Sequence, residues 1–196
     1  MSYINRANLD GDVCYYYKDN LHALHKPARV QADGTEEWFR NGLRHRTNEV
    51  KLRWVDGIQV WEELDQPAYT RPDGYKSWWS NGLLHRENDK PAIIDSNGTQ
   101  FWYSNGLQHR ENDMPAVVHL DGTVVYYSFG EMHRENDMPA YIMSDGTRFW
   151  YANGLLHRLI GPAVIYPDGK AEYWVNNIEY AIDQFLDFHF RSTNID

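Results

Sequence analysis

The chain lacks the features of a disulfide-bonded, secreted or membrane-spanning protein. Its 196 residues include one cysteine, Cys14, so neither an intramolecular disulfide nor a multi-cysteine zinc site is expected. No stretch approaches the ~20 apolar residues that span a bilayer, and no basic segment followed by an apolar run opens the chain. We therefore expect a cytoplasmic protein, in the host cytoplasm if the source is viral.

The sequence also lacks an excess of basic residues and any familiar catalytic motif. Its 28 acidic and 19 basic residues give a net charge of -9, which argues against general nucleic-acid binding and favours a positively charged protein partner. No P-loop, dinucleotide fingerprint or His-Glu-x-x-His motif occurs, and Cys14 has no neighbours that would mark it as a nucleophile. We predict no catalytic residues, no cofactor and no enzymatic activity.

What the sequence does contain is a repeat with a period of 24 residues. The dipeptide Pro-Ala recurs at 27–28, 67–68, 91–92, 115–116, 139–140 and 162–163. A His-Arg pair follows it in register at His45, Arg46, His85, Arg86, His109, Arg110, His133, Arg134, His157 and Arg158. Glu-Asn-Asp comes next at 87–89, 111–113 and 135–137. With 15% aromatic residues the composition favours β-sheet, so each copy is predicted to be a small β unit.

Two turn dipeptides occur in each copy and indicate two antiparallel strands. Asp-Gly, as at 121–122, and Asn-Gly, as at 105–106, are the preferred pairs of two-residue type I′ hairpins. A β-helix would stack the five arginines at about 4.8 Å, whereas a hairpin meander separates equivalent positions by roughly 10 Å and lets each Arg meet an acidic residue. The meander is the favoured geometry.

The Asn-Gly-Leu-x-His segment, the aromatic strand and the Asp-Gly turn together resemble the MORN repeat, especially bacterial and viral variants that carry His-Arg-Glu-Asn-Asp-x-Pro-Ala. The resemblance is close over 67–175 and weaker over 9–66. It implies an elongated antiparallel β-solenoid that contacts proteins or membrane lipids without catalysis. MORN-like chains of this divergent kind resemble bacterial antitoxins and phage-encoded proteins. By this analogy, the chain would inhibit a toxin or a host-defence enzyme.

The predicted organisation is one all-β hairpin repeat solenoid over 1–175, with irregular units over 1–66 and regular ones over 67–175, followed by a short C-terminal capping helix and tail over 176–196. Residues 51–66 are interpreted as a shortened unit that starts at Lys51, keeps Asp56-Gly57 and has lost its His-Arg portion. The spacing of Ile178, Ile182, Phe185, Leu186 and His189 predicts the amphipathic helix. It would cover the open end of the sheet or dock a partner.

The histidines and arginines are interpreted as structural. Equivalent histidines roughly 10 Å apart cannot share one zinc ion, whose ligands lie about 2.0–2.1 Å away, so no metal site is predicted. Each His-Arg pair is instead expected to bond to the Glu-Asn-Asp segment or to backbone groups beside the proline.

The aromatic residues carry the predicted binding surface. Rings on alternating faces either pack between repeats or form an exposed stripe that anchors a protein partner. The candidates are Trp54, Trp61, Trp78, Trp79, Trp102, Trp150 and Trp174. The hypothesis is a non-catalytic, protein-binding repeat module of unknown partner. A membrane-associated or structural scaffold is the alternative, which the net charge of -9 does not favour, and an enzyme comes third.

Overall fold

A computed structural model describes the backbone of residues 4–7, 11–46, 49–55 and 58–193, and the side chains of 11–46 and 65–187. The chain divides into two compact units, Met1–Ser96 and Asn97–Asp196. In both units the regular secondary structure of the described residues consists almost entirely of short β-strands, and one helix, α1 (Ile182–Thr193), ends the second. The predicted all-β hairpin repeat with a short C-terminal helix is confirmed.

Fourteen strands build the first unit. They are β1 (Ile4–Ala7), β2 (Val13–Tyr17), β3 (Asn20–Leu21), β4 (Arg29–Val30), β5 (Glu36–Glu37), β6 (Phe39–Arg40), β7 (Leu43–Arg44), β8 (Glu49–Val55), β9 (Ile58–Leu64), β10 (Tyr69–Thr70), β11 (Lys76–Ser77), β12 (Trp79–Ser80), β13 (Leu83–Leu84) and β14 (Ile93–Ile94). The main sheet has the antiparallel order β1-β2-β4-β5-β10-β11-β14, with β3 also paired to β2. The hairpins β6-β7, β8-β9 and β12-β13 lie outside it.

The second unit repeats this plan with fourteen more strands. They are β15 (Gln100–Phe101), β16 (Tyr103–Ser104), β17 (Leu107–Gln108), β18 (Val117–Val118), β19 (Val124–Val125), β20 (Tyr127–Ser128), β21 (Glu131–Met132), β22 (Tyr141–Ile142), β23 (Arg148–Phe149), β24 (Tyr151–Ala152), β25 (Leu155–Leu156), β26 (Val164–Ile165), β27 (Ala171–Val175) and β28 (Ile178–Tyr180). Its main sheet runs β15-β18-β19-β22-β23-β26-β27-β28, and β16-β17, β20-β21 and β24-β25 are separate hairpins.

One aromatic residue in each repeat joins the main sheet to the hairpin beside it. In the repeat over 115–138, Tyr126 lies between β19 and β20. Its N–H donates to the carbonyl of Ala140 in the next repeat (2.7 Å), and its carbonyl accepts from the N–H of His133 (3.2 Å). The strands are therefore shorter than the continuous pair predicted, because the backbone changes partner at this residue.

The alanine of each Pro-Ala dipeptide lies at the centre of the packing. Ala116, Ala140 and Ala163 have no exposed surface. Each also uses its backbone within the ladder, since the N–H of Ala140, for example, donates to the carbonyl of Phe149 (2.9 Å). The preceding proline has no N–H to donate, and it lies outside the strands, where none is needed.

The two turn dipeptides adopt different turns. Asn153 and Gly154 both have positive φ, 50° and 75°, as the predicted type I′ hairpin requires. At Asp121-Gly122 only the glycine has positive φ, and its N–H bonds back to the carbonyl of His119 (3.2 Å). The Asp-Gly pairs therefore lie at chain reversals, but the type I′ prediction is wrong for them: they form three-residue loops with a type I turn and a glycine bulge.

Glu-Asn-Asp forms a further turn that the two-strand interpretation did not include. Asn136 and Asp137 both have positive φ, 58° and 54°, and the N–H of Met138 donates to the carbonyl of Glu135 (3.2 Å). Asn and Asp tolerate this left-handed conformation better than other non-glycine residues. Each regular repeat thus reverses direction three times.

The prediction of a shortened unit over 51–66 is wrong, because the described strands of this segment, β8 and β9, form a separate sheet. Strands β8 and β9 pair with each other from Glu49↔Leu64 to Val55↔Ile58, while β5 pairs directly with β10. Arg46 donates to the carbonyl of Pro67, 21 residues away, where Arg134 reaches Pro139 over 5 residues. The difference of 16 residues equals the span 49–64, which is a hairpin inserted into the repeat that starts at Pro27. Asp56 and Gly57, which suggested a displaced unit, lie outside the described residues.

The C-terminal helix buries one of its predicted apolar positions. Phe185 is buried and its ring lies 4.8 Å from that of Tyr173. Ile182 and Leu186 are exposed, and Ile178 belongs to β28 rather than to the helix. The side chain of His189 lies outside the described residues. The helix therefore packs on the end of the second unit through Phe185.

We predict that acid weakens the Asp-Gly loops. The carboxylate of Asp121 accepts the N–H of Thr123 (2.8 Å), and this bond, with one from the Thr123 hydroxyl, holds its pKa below the ordinary value. A carboxyl whose pKa is lowered by folding contributes stability above its unfolded pKa of about 3.9, and loses it as the pH falls through the folded value. Asn97 accepts the N–H of Thr99 in the same way (2.9 Å), so asparagine can hold this loop without titrating.

Asp121→Asn should therefore fold normally and lose less stability than the wild type between pH 5 and 2. The urea unfolding midpoints of both proteins across about that pH range measure how much stability each one loses. Equal pH dependence in both proteins would show that the Asp121 bond does not stabilise the fold.

Candidate functional site

Arg134, the arginine of one His-Arg pair, is held at three points. The guanidinium of Arg134 lies 3.7 Å from the Tyr126 ring centroid. Its Nε and Nη2 donate to the two carboxylate oxygens of Asp113 in the preceding repeat, both at 2.8 Å. Nη1 donates to the carbonyl of Pro139 (3.4 Å), and the bond from Arg134 lowers the pKa of Asp113. Arg134 thus ties a ring, a turn and a proline of successive repeats together.

The other four arginines stack on rings in the same way. Arg46, Arg86, Arg110 and Arg158 lie over Trp38, Trp78, Trp102 and Trp150, at 3.9, 3.5, 3.9 and 4.1 Å from the ring centroids. Arg158 pairs with Asp137, and Arg86 pairs with Asp65, the residue that follows the inserted hairpin. The inserted hairpin therefore leaves this arginine contact in place.

The histidines of the repeat array contact neighbouring groups through their ring nitrogens, and His133 uses both of them. His133 Nδ1 accepts the N–H of Asn153 in the next hairpin (3.2 Å), and its Nε2 lies 2.9 Å from the Glu135 carboxylate. His157 and His45 hold the N–H groups of Asn176 and Asn81 in the same way, and His109 that of Phe129. The histidines are thus part of the contacts between hairpins. Among the described residues, no three His, Cys, Asp or Glu side chains form a group that could hold a metal ion.

The tryptophans predicted as an exposed stripe divide into three groups. Trp78, Trp102 and Trp150 are 6–7% exposed and belong to the core, which corrects the expectation that they form part of an exposed surface. Trp79 and Trp174 are half-buried, and their indole N–H groups donate to Ser77 and Glu172. The side chains of Trp54 and Trp61, on the inserted hairpin, lie outside the described residues.

One set of exposed apolar residues lies instead at the ends of the hairpins. In the second unit they follow or form the two-residue turn, and we call them the margin row: Leu107 (48% exposed), Phe129 (65%), Leu155 (39%) and Ile178 (58%). Leu107 lies against Gly130 of the next hairpin, and the Phe129 ring stacks on His109 with centroids 4.2 Å apart. The first unit has the equivalent Leu43 and Leu83, 51% and 49% exposed. Sequence reasoning missed this row, although a leucine follows most of the Asn-Gly pairs.

The comparisons with known proteins do not add a family. No protein-family model matches the chain, and a search of curated proteins finds no significant match. Within the described ranges, no helix is long and apolar enough to cross a bilayer.

Proposed function

We propose that this chain is a non-catalytic, protein-binding repeat module that contacts its partner through the margin row. The observation that carries this proposal is that large apolar side chains are exposed in, or directly after, the two-residue turns of successive hairpins. Monomeric proteins seldom expose large apolar patches, and those that do commonly use them as binding surfaces. These side chains lie in or next to two-residue turns, and a short turn has less conformational entropy to lose on binding than a long loop.

The resemblance to MORN-like repeats supports the same class of function. Among the possible partners, it favours a toxin or a host-defence enzyme that the chain would inhibit. A membrane scaffold is the second candidate from the resemblance, but a net charge of -9 opposes binding to anionic lipids. The net charge therefore favours a protein partner over a membrane.

The test is affinity capture from a lysate of the source cells, followed by a binding measurement on the captured protein. We expect Leu107→Ser combined with Leu155→Ser to weaken binding about tenfold or more, because two half-exposed leucines no longer bury apolar surface. Leu120→Ser is the control, since Leu120 is 78% exposed but lies beside the Asp-Gly turn. If the double variant binds the partner as well as the Leu120→Ser control does, the margin row is not the contact surface.

A further inference from the structure

In the repeat that carries the inserted hairpin, one ring nitrogen of the histidine has no hydrogen-bond partner. The Nε2 atoms of His85, His109 and His133 lie 2.9, 3.1 and 2.9 Å from the carboxylate of the glutamate two residues later. At His45 the residue two positions later is Thr47 instead of a glutamate. His45 Nε2 is buried and has no hydrogen-bond partner.

A second buried donor is unpartnered in the same place. In the second unit, the indole Nε1 of Trp150 donates to the main-chain carbonyl of Asp137, 13 residues earlier (2.8 Å). Trp78 is the equivalent tryptophan, and Asp65 the equivalent aspartate. Trp78 is 7% exposed, and its Nε1 has no hydrogen-bond partner. A buried N–H without an acceptor costs about 1–3 kcal/mol, so the two donors together favour binding of a ligand that accepts hydrogen bonds.

His45 and Trp78 line one cleft of about 490 Å³ within the first unit. The cleft is also lined by three cationic side chains, Arg46, Arg86 and Lys90, and by two carboxylates, Asp65 and Glu87. The corresponding cleft of the second unit, about 310 Å³, has two arginines, Arg110 and Arg134, against three carboxylates, Glu111, Asp113 and Glu135. The balance of charged side chains is therefore positive in the first cleft and negative in the second.

Lys90 accounts for part of this difference. It occupies the position of Met114 and Met138 in the two following repeats, directly before the proline. Its Nζ lies 2.8 Å from the Asp65 carboxylate, which already accepts from Arg86. The two repeats that line this cleft therefore combine a lost glutamate, at Thr47 of the first, with an added cation, Lys90 of the second.

Both unpartnered groups are donors at neutral pH. His45 Nδ1 accepts the N–H of Asn81 (3.2 Å), so the proton of the neutral ring is on Nε2. Burial, together with the charge of Arg40, lowers the pKa of His45 and keeps the ring neutral. The Trp78 indole nitrogen can only donate. The complementary ligand must therefore supply acceptors.

We propose that this cleft binds an acidic segment of a partner protein, with a side-chain carboxylate at His45 and a main-chain carbonyl at Trp78. Elsewhere in the chain the same atoms are filled by these groups: His85, His109 and His133 contact a glutamate carboxylate, and Trp150 donates to the main-chain carbonyl of Asp137. A peptide containing Glu or Asp offers both acceptors, and the cations Arg46, Arg86 and Lys90 favour its charge. The inference rests on the proposed protein-binding function and adds the chemistry of one contact.

The test uses the full chain labelled with ¹⁵N and a terminally blocked Glu-Asn-Asp peptide. We expect the peptide to shift the Trp78 indole signal, assigned with Trp78→Phe, and to leave the Trp150 indole signal unchanged, because Trp150 already has its acceptor. Affinity should lie in the millimolar to micromolar range. The isosteric Gln-Asn-Asn peptide should bind roughly tenfold more weakly, as expected for the loss of a charge-assisted hydrogen bond.

Lys90→Met is the matched variant, because methionine is the residue of the neighbouring repeats and the fold should tolerate it. It should weaken peptide binding several-fold. The proposal would be overturned if the peptide did not shift the Trp78 signal. It would also be overturned if acetate shifted the signal equally, which would indicate a simple anion site. A shift that depends on protein concentration in the absence of peptide would indicate that a second copy of the chain binds there, and would likewise overturn it. If the peptide does not bind, but the margin-row variants still bind the captured partner more weakly than the wild type does, only the inference about the cleft is contradicted.

Discussion

Trp150→Ala should destabilise the protein by about 3–5 kcal/mol, the usual cost of removing a buried aromatic side chain. Trp150 is 6% exposed, its indole N–H donates to Asp137, and its ring carries the guanidinium of Arg158 at 4.1 Å. The substitution leaves a cavity and removes the surface on which Arg158 rests. The unfolding free energy from urea titration measures the effect.

Trp150→Tyr is the matched control, because tyrosine occupies the same position of the preceding repeat as Tyr126, under Arg134 at 3.7 Å. We expect a loss of roughly 1–2 kcal/mol, from the missing indole hydrogen bond and a smaller ring. Equal losses for alanine and tyrosine would contradict the equivalence of the two positions.

Arg134→Ala should cost roughly 2–3 kcal/mol, more than a surface arginine. The guanidinium makes two bonds to Asp113, one to the Pro139 carbonyl, and a cation–π contact with Tyr126. Its side chain is 10% exposed, so water cannot fully replace these partners. Thermal or urea unfolding should show the loss at neutral pH.

Two further variants separate packing from charge. Arg134→Lys keeps the charge but loses the planar fork, and should fall between alanine and the wild type. Arg148→Ala removes an exposed arginine of β23 and should change stability by less than about 0.5 kcal/mol. If Arg134→Ala behaves like Arg148→Ala, the three-point contact does not stabilise the repeats.

The repeat, its turns and its class of fold could be predicted from the sequence because each copy carries the same local signals. Type I′ turns need two residues with positive φ, and the dipeptide Asn153-Gly154 consists of residue types that adopt this conformation readily. The inserted hairpin could not be placed, because Asp56-Gly57 is as suitable for an independent hairpin as for the next repeat. The decision depends on which strand β5 pairs with, and that is a property of the folded sheet.

The candidate site was predicted less well than the fold. Alternation along a strand normally decides which rings face inward, but the strand changes partner at Trp102 and its equivalents, so alternation does not apply there. The unpartnered donors of His45 and Trp78 likewise depend on acceptors that arrive from other repeats. Only the missing glutamate at Thr47 and the added Lys90 were visible in the sequence.

Hydrogen exchange at the Trp38 amide tests most directly whether the repeat array continues past the inserted hairpin. The Trp38 N–H donates to the carbonyl of Ala68 (2.8 Å), as the Trp150 N–H does to Ala163 (2.8 Å). We predict comparable, strong protection of both amides from exchange in NMR spectra. Rapid exchange at Trp38 beside a protected Trp150 would show that the sheet is broken at residues 49–64.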